Sequence, residues 1–434
     1  MDLFYFFFHL ALNLLSSSGI GTYITTNYFP TAAGALKLRK DLNKRSTFLR
    51  LINFNEFKIF DSALGQNNLI SVFQKGKRTK ECHIMMTKRK GSDINVLNSI
   101  LNETDTETSY NILFEEDLYE TEKQYIRFSK QAETPLSKIL NRMKEKSILL
   151  GDICDVNNGV FTGGDFLSLN NKNKYKIQTP VGSGIFVITN EELAKMKLNK
   201  NELELIKPLF KNSNIHKYYC DEEKKLNLIN LRYTDRPNLD DYPNIKKHLL
   251  PYKQMLMDRP KTGTLESAFS NNMWYIMSTS RKVNMETEKI VAPQRSKSNT
   301  FGYNNTSWYT TGDCFFITEP KKNYSLKFIL GLLNSKLYFQ WLYNKGKRKG
   351  DSLELTQNPL SEIPIPMVNQ DNQRDIIELV DQILSAKKQN PQQNTYFLEH
   401  QIDLFVYQLY ELTFEEAKII DNNLTESEYG YTER

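Results

Sequence analysis

The sequence predicts an α/β sheet domain entered part-way through its fold, followed by a mostly β, mixed α+β domain and a closing pair of helices. Three patterns predict this. Residues 3–76 read as helix, strand, helix, strand, strand; residues 147–366 are short strands, turn residues and many tyrosines; and after residue 370 apolar residues recur at helical spacing. With 434 residues and 39% hydrophobic content, there is apolar material for two or three cores.

Residues 3–15 place Leu3, Phe7, Leu10 and Leu14 on one helical face and Phe4, Phe8, Ala11 and Leu15 on the adjoining one, so the helix must be covered on most sides. Ser16–Gly19 break it. Ile20–Phe29 is β-branched and aromatic, suited to a buried strand, and a second helix is expected around Ala32–Asn43. Strands are expected at Leu49–Phe54 and Leu69–Phe73, the latter ending at Gly76. This order reads as the second half of an α/β sheet, and Leu3, Phe7 and Ile24 are expected to be exposed where a first half would pack.

Lys75–Asp93 is basic and polar, and Asn98–Tyr110 is rich in Asn, Thr, Asp and Glu; residues 86–146 are therefore expected to be a polar connector, with a helix at Pro135–Lys146. Residues 147–368 form the mostly β domain. In 369–434, Ile376, Leu379, Val380 and Ile383, then Leu398, Ile402, Phe405 and Leu409, predict a helical hairpin.

Fifty-seven basic against 51 acidic residues, a net charge of +6, permit a polyanionic partner without demanding one. The four cysteines are far apart, and the five histidines lack ligand spacing. Neither a disulfide framework nor a metal site is expected, and a reducing cytoplasm fits best. The Leu3–Leu15 run imitates a signal peptide, but Asp2 stands where a positive region belongs and the run is too short to span a membrane. No nucleophile triad appears and no convincing nuclease pattern, so cleavage is not expected.

The string Tyr23-Ile24-Thr25-Thr26-Asn27-Tyr28-Phe29, with Ala35-Leu36-Lys37-Leu38-Arg39, Ile52-Asn53-Phe54-Asn55-Glu56, Phe60 and Gly65-Gln66-Asn67-Asn68, resembles a segment of the TaqI-type and type IIG N6-adenine DNA methyltransferases. It is the segment after the catalytic N-P-P-Y loop, and the resemblance covers residues 2 to about 76. It implies a partial Rossmann-like methyltransferase sheet over residues 1–85, S-adenosyl-L-methionine as cofactor and double-stranded DNA as partner. It also implies stacking of Phe60 on a flipped-out adenine and a place for Phe7 beside the cofactor's adenine. The bland reading makes Phe60 a core residue beside Phe54 and Phe57, and Phe7 a core residue of an apolar helix. The chain contains no N-P-P-[YF] and no Gly-rich cofactor loop. An adenine amine is a poor nucleophile unless acceptors aim it, so no methyl transfer is expected from this chain alone.

A second resemblance, to the TaqI-like C-terminal specificity domain, rests on five strings in order between residues 149 and 366. They are Ile206-Lys207-Pro208-Leu209-Phe210-Lys211, Lys289-Ile290-Val291-Ala292-Pro293-Gln294-Arg295, Gly312-Asp313-Cys314-Phe315-Phe316-Ile317, Leu332-Leu333-Asn334-Ser335-Lys336 and Ile363-Pro364-Ile365-Pro366. Most of these maintain the fold. Gln294–Asn299 and the loop Lys345–Gly350 look suited to DNA. Arg295, Lys297, Lys345, Lys347, Arg348 and Lys349 are the candidate contacts, because Arg can read a guanine edge while clustered Lys finds phosphates. The bland reading of such a basic run is a solvated face. Together these imply the target-recognition part of a site-specific adenine methyltransferase of a restriction-modification system, inactive alone, whose N-terminal half is either a separately encoded chain or lost. The alternative is a non-catalytic DNA-specificity subunit that docks a partner.

Overall fold

The computed structural model describes residues 2–430 apart from 61–66, 77–80, 121, 130–133, 279–283, 322 and 350, and not the side chains of Ala33 and Lys349. Gly65 and Gln66 thus lie outside the described residues. The fold is mixed α/β with several sheets, in two compact units, 1–134 and 135–434.

The first unit follows the expected order. Helix α1 (Phe4–Leu14), strand β1 (Ile20–Thr26), helix α2 (Leu36–Arg45) and strands β2 (Ser46–Asn53) and β3 (Asn68–Lys75) are succeeded by β4 (Cys82–Thr87), α3 (Ile94–Leu101) and β5 (Thr108–Leu113). The sheet order is β1-β3-β2-β4-β5, with β2 and β4 parallel and the other pairs antiparallel. The stretch read as a connector therefore supplies the end of β4 and all of β5 to this sheet, and its residues up to Thr134 belong to the first unit. Strand β5 is at a rim, where one face needs covering and the other can stay polar, so its Thr-Ser-Tyr-Asn start hides it.

Helix α1 buries Tyr5, Phe8 and Leu12 but exposes Leu3, Phe6, Phe7, Leu10 and Leu14, and β1 alternates, with Ile20 and Ile24 outward. The expected exposure of Leu3, Phe7 and Ile24 is present, whereas β1 is not the buried strand its residues suggested. A rim strand pairs on one side only, and here a single face meets α1. Helix α2 buries Arg39, whose guanidinium donates to the carbonyls of Phe29 (2.9 Å), Ala32 (2.6 Å) and Lys123 (2.9 Å) and lies 4.9 Å from the Tyr125 ring. Those bonds fix the loops on both flanks of the helix.

In the second unit a five-stranded sheet runs in the order Tyr218–Tyr219, Gly302–Asn304, Lys289–Pro293, Cys314–Thr318, Asp155–Asn158. The strands Lys289–Pro293 and Cys314–Thr318 are buried at every residue, as expected of strands covered on both faces. On one side pack the helix Leu326–Asn334 and the hairpin of Arg374–Gln389 with Tyr396–Leu409; on the other lies a core around Trp308, which stacks on Phe210 at 4.7 Å. Residues 169–270 carry six short α-helices, more than a mostly β domain with a few inserted helices suggests, because runs of five to seven residues carry less than two periods of a helical pattern. Ile363–Pro366 is structural as expected: Pro364–Pro366 pairs with Ser147–Leu149, and the Tyr338 hydroxyl donates to the Pro364 carbonyl at 2.7 Å.

Asp403 lies buried in the helical hairpin. Its carboxylate accepts the Lys336 backbone N–H at 2.7 Å, with the Lys336 ammonium 3.9 Å away and held by Asp421. Burial raises its pKa to about 7, against the pull of the Lys336 N–H and the Lys217 and Lys336 charges. The folded protein thus holds this proton where the unfolded chain has lost it. The stability it contributes is present below the ordinary carboxylate range and lost as pH rises through about 7. Asp403→Asn is expected to flatten that decline and to stabilise the protein at pH 8 by on the order of 4 kcal/mol. Urea midpoints of the two proteins at pH 5 and pH 8 check this; equal slopes would exclude it.

Candidate nucleic-acid interface

Three strands of the second unit meet at one end of its central sheet. Pro293 pairs with Cys314, and Phe315 pairs with Asn158, so the exit of Lys289–Pro293, the exit of Asp155–Asn158 and the entry of Cys314–Thr318 share a rim. Beyond it, Gln294 donates its N–H to the Asp313 carbonyl at 2.8 Å and accepts the Leu355 N–H at 2.8 Å. Arg295–Ser296 then pairs with Ser352–Glu354, which pairs with Arg348–Lys349 in a small three-stranded sheet. Two basic segments some fifty residues apart in sequence are thereby joined through one shared strand.

Arg295, Lys297, Lys345, Lys347 and Arg348 are all exposed. Glu354, nearly buried, stands between two of them: its carboxylate lies 2.6 Å from the Lys347 ammonium and 3.7 Å from the Arg295 guanidinium. It holds both cations on one face of the small sheet and removes one unit of their charge. Arg348 lies over the Tyr343 ring at 4.1 Å, which orients its guanidinium without neutralising it. Lys349 pairs through its backbone with Ser352.

Not every polar residue of the basic segment points outward. Asn299 is buried and donates to the Leu333 carbonyl at 2.7 Å and the Ser335 carbonyl at 2.8 Å, closing the end of the helix Leu326–Asn334. Asn334 exchanges bonds with the Phe301 backbone at 2.9 and 3.1 Å. Asn299 is therefore a latch on the fold. Sequence reasoning missed Glu354, which reaches Arg295 only through strand register.

The first unit holds the other two candidates separately. Phe54 and Phe57 are in the core, but Phe60 is 45% exposed, so the core reading does not describe it. Phe7 is 51% exposed on an open apolar stripe with Leu3, Phe6, Leu10 and Leu14, and its backbone carbonyl accepts the Tyr23 hydroxyl at 3.1 Å. Such a stripe offers a purine one apolar wall and nothing to grip a ribose or a carboxylate. These residues by themselves do not fit an S-adenosyl-L-methionine pocket.

Residues 207–365 match the family model of the TaqI-like C-terminal specificity domain, and residues 1–60 match that of the Eco57I restriction-modification methylase. The chain is 24% identical over 389 residues to the type II methyltransferase M.HindII of Haemophilus influenzae, covering 85% of this chain and 68% of that protein. It is 26% identical over 269 residues to the type II methyltransferase M.MjaIV of Methanocaldococcus jannaschii, covering 60% and 80% respectively. The similarity is thus to type II methyltransferases and to restriction-modification family models. A solved structure of the type IIL restriction-modification enzyme MmeI in complex with DNA shares the fold of this chain, with a TM-score of 0.57 at 12% identity. The likeness covers 97% of this chain and 53% of that one, so the chain spans about half the length of that enzyme. All six basic candidates lie within the residues matched to the specificity-domain model.

Proposed function

We propose that this chain is the DNA-recognising part of a site-specific N6-adenine DNA methyltransferase. Residues 147–368 read the target, and residues 1–85 supply part of a Rossmann-like, S-adenosyl-L-methionine-dependent catalytic sheet. The observation that carries the reading is the set of exposed cations at one sheet rim, joined through Ser352–Glu354, inside the region matched to a specificity domain. Support for DNA as the partner comes from the MmeI structure, which was solved with DNA. In this reading Arg295 addresses a base edge, the lysines and Arg348 address phosphates, and Phe60 stacks on the extruded adenine in the assembled enzyme.

Methyl transfer needs an N-P-P-[YF] loop from outside these 434 residues, because none occurs within them. The exposed stripe of α1 and β1 is the surface we assign to the methyltransferase half that carries it. A DNA-specificity subunit that only docks a partner is the second reading, favoured by the open surroundings of Phe7. Phe60→Ala in the chain assembled with such a half separates the two: the main reading expects slower methyl transfer, whereas a subunit that only docks a partner expects an unchanged rate.

One experiment tests the main reading. The full chain is equilibrated with a randomised duplex library, bound DNA is sequenced, and the selected site is offered to wild type and Arg295→Ala. Wild type is expected to select one site and Arg295→Ala to lose about 1–3 kcal/mol of discrimination at a single base pair. Labelled S-adenosyl-L-methionine added to the same mixture should leave the DNA unlabelled. Selection of no site, or labelled DNA above a no-protein control, would each remove a part of the proposal.

A further inference from the structure

Beside the cationic segments, at the same sheet rim, lies a pocket of about 590 Å³ lined by residues 160–166, Ser278, Thr311 and Gly312. The loop that forms it leaves the strand Asp155–Asn158. It is tied to two strands, Cys314–Thr318 and Tyr309–Thr310, by the Gly159 N–H on the Cys314 carbonyl and the Val160 N–H on the Thr310 carbonyl, both at 2.9 Å. Gly163 has φ +75°, and a Cβ there would stand 2.2 Å from the Ser278 hydroxyl, so the loop requires glycine at its bend. Arg259, nearly buried, donates to the Thr162 carbonyl at 3.0 Å and to those of Trp274 and Ile276 at 2.8 Å each, fastening the loop from beneath. The Thr162 hydroxyl donates to Asp165, and the Gly164 N–H returns to the Thr162 oxygen at 3.1 Å.

Two aromatic rings stand open at this braced loop: Phe161 is 49% exposed and Phe166 36%. The Phe161 ring lies against Gly312 so closely that a Cβ on Gly312 would be 2.2 Å from it, which fixes the ring's pose while leaving part of it to solvent. The pocket's charged group is the partly exposed Asp165 carboxylate, which repels phosphate and accepts amino protons beyond the one bond from Thr162. Rigid aromatic surface, a carboxylate and small hydroxyls, bordered by cations that hold a polyanion nearby, match an unstacked nucleobase better than a phosphate or a stacked pair.

We propose that this pocket takes an unstacked base of the bound DNA, with Phe161 against its face and Asp165 accepting an exocyclic amine, so that adenine and cytosine are preferred over thymine. The inference rests on the DNA-recognising reading above and adds a second point of attachment to it. The base is held here by stacking and one charge-assisted hydrogen bond, while the neighbouring cations supply sequence-independent affinity.

The test measures affinity of the full chain for three fluorescent oligonucleotides of one sequence: a perfect duplex, the duplex with a bulged adenine, and the duplex with a bulged thymine. Wild type should bind the adenine bulge about tenfold more tightly than the perfect duplex. Phe161→Ala should reduce that preference to within about twofold while the perfect-duplex affinity stays, and Phe161→Tyr should restore it. Asp165→Asn should narrow the gap between adenine and thymine bulges. Should wild type bind no duplex, the DNA-recognising reading falls. If wild type binds duplex but shows no bulge preference, or Phe161→Ala weakens all three equally, the pocket proposal is overturned while DNA recognition stands. Near-ultraviolet circular dichroism of Phe161→Ala and Phe161→Tyr identifies an unfolded variant, and the Asp165→Asn comparison then decides alone.

Discussion

Arg259→Leu is expected to destabilise the second unit by about 3–5 kcal/mol, the range for removing a buried, fully hydrogen-bonded charged group. The side chain donates to four main-chain carbonyls, those of Leu256, Thr162, Trp274 and Ile276, at 2.8–3.0 Å. Leucine fills part of the volume and satisfies none of them, and each stranded carbonyl carries its own desolvation cost. Burial lowers the guanidinium pKa to about 10, so it stays charged at neutral pH. Lysine is no remedy, because a single ammonium cannot span carbonyls that a planar fork reaches in two directions. Urea unfolding of Arg259→Leu and Arg259→Lys measures this, and a loss below about 1 kcal/mol for both would show that the carbonyls find other partners.

The second large effect is on affinity. Lys345→Ala, Lys347→Ala and Arg348→Ala combined are expected to weaken binding to every duplex alike and to lower the slope of log affinity against log salt by about two to three, near 0.9 for each phosphate no longer neutralised. The structure adds a control of opposite sign. Glu354 lies 2.6 Å from Lys347 and 3.7 Å from Arg295, so Glu354→Gln removes a negative charge from the same face and should strengthen non-specific binding. It should also blur site selection, since Arg295 loses the carboxylate that orients it. Affinity titrations across a range of salt concentrations distinguish the cases. A triple variant with an unchanged slope would move the phosphate-binding surface elsewhere.

The readable parts of this chain were those whose signal is local. Helix α1, strand β3, the hairpin after residue 370 and the X-Pro strand before it carry their periodicity within short stretches of sequence. Strand β5 escaped because a rim strand tolerates polar residues, and the helices of 169–270 because each is too short to show a period. The candidate surface was legible in half. The cations announce themselves as runs, but Glu354 is far along the chain from Arg295, and Arg259 is 97 positions from Thr162. No local pattern can report a meeting made by register or by packing. Composition misled at Asn299, which resembles its exposed neighbours and yet is enclosed by two helix-end carbonyls.

Strand β1 stands at the rim of its sheet, with Ile20 and Ile24 turned outward next to the open Leu and Phe side chains of α1. Among the described residues β1 pairs with β3 alone, and a strand edge beside an apolar patch is a template for pairing with further copies of the same chain. The pure protein should accordingly behave as a poor colloid, losing solubility as concentration and salt rise. A lysine at position 24, which breaks the patch without touching the β1–β3 ladder, should extend the concentration at which it can be handled.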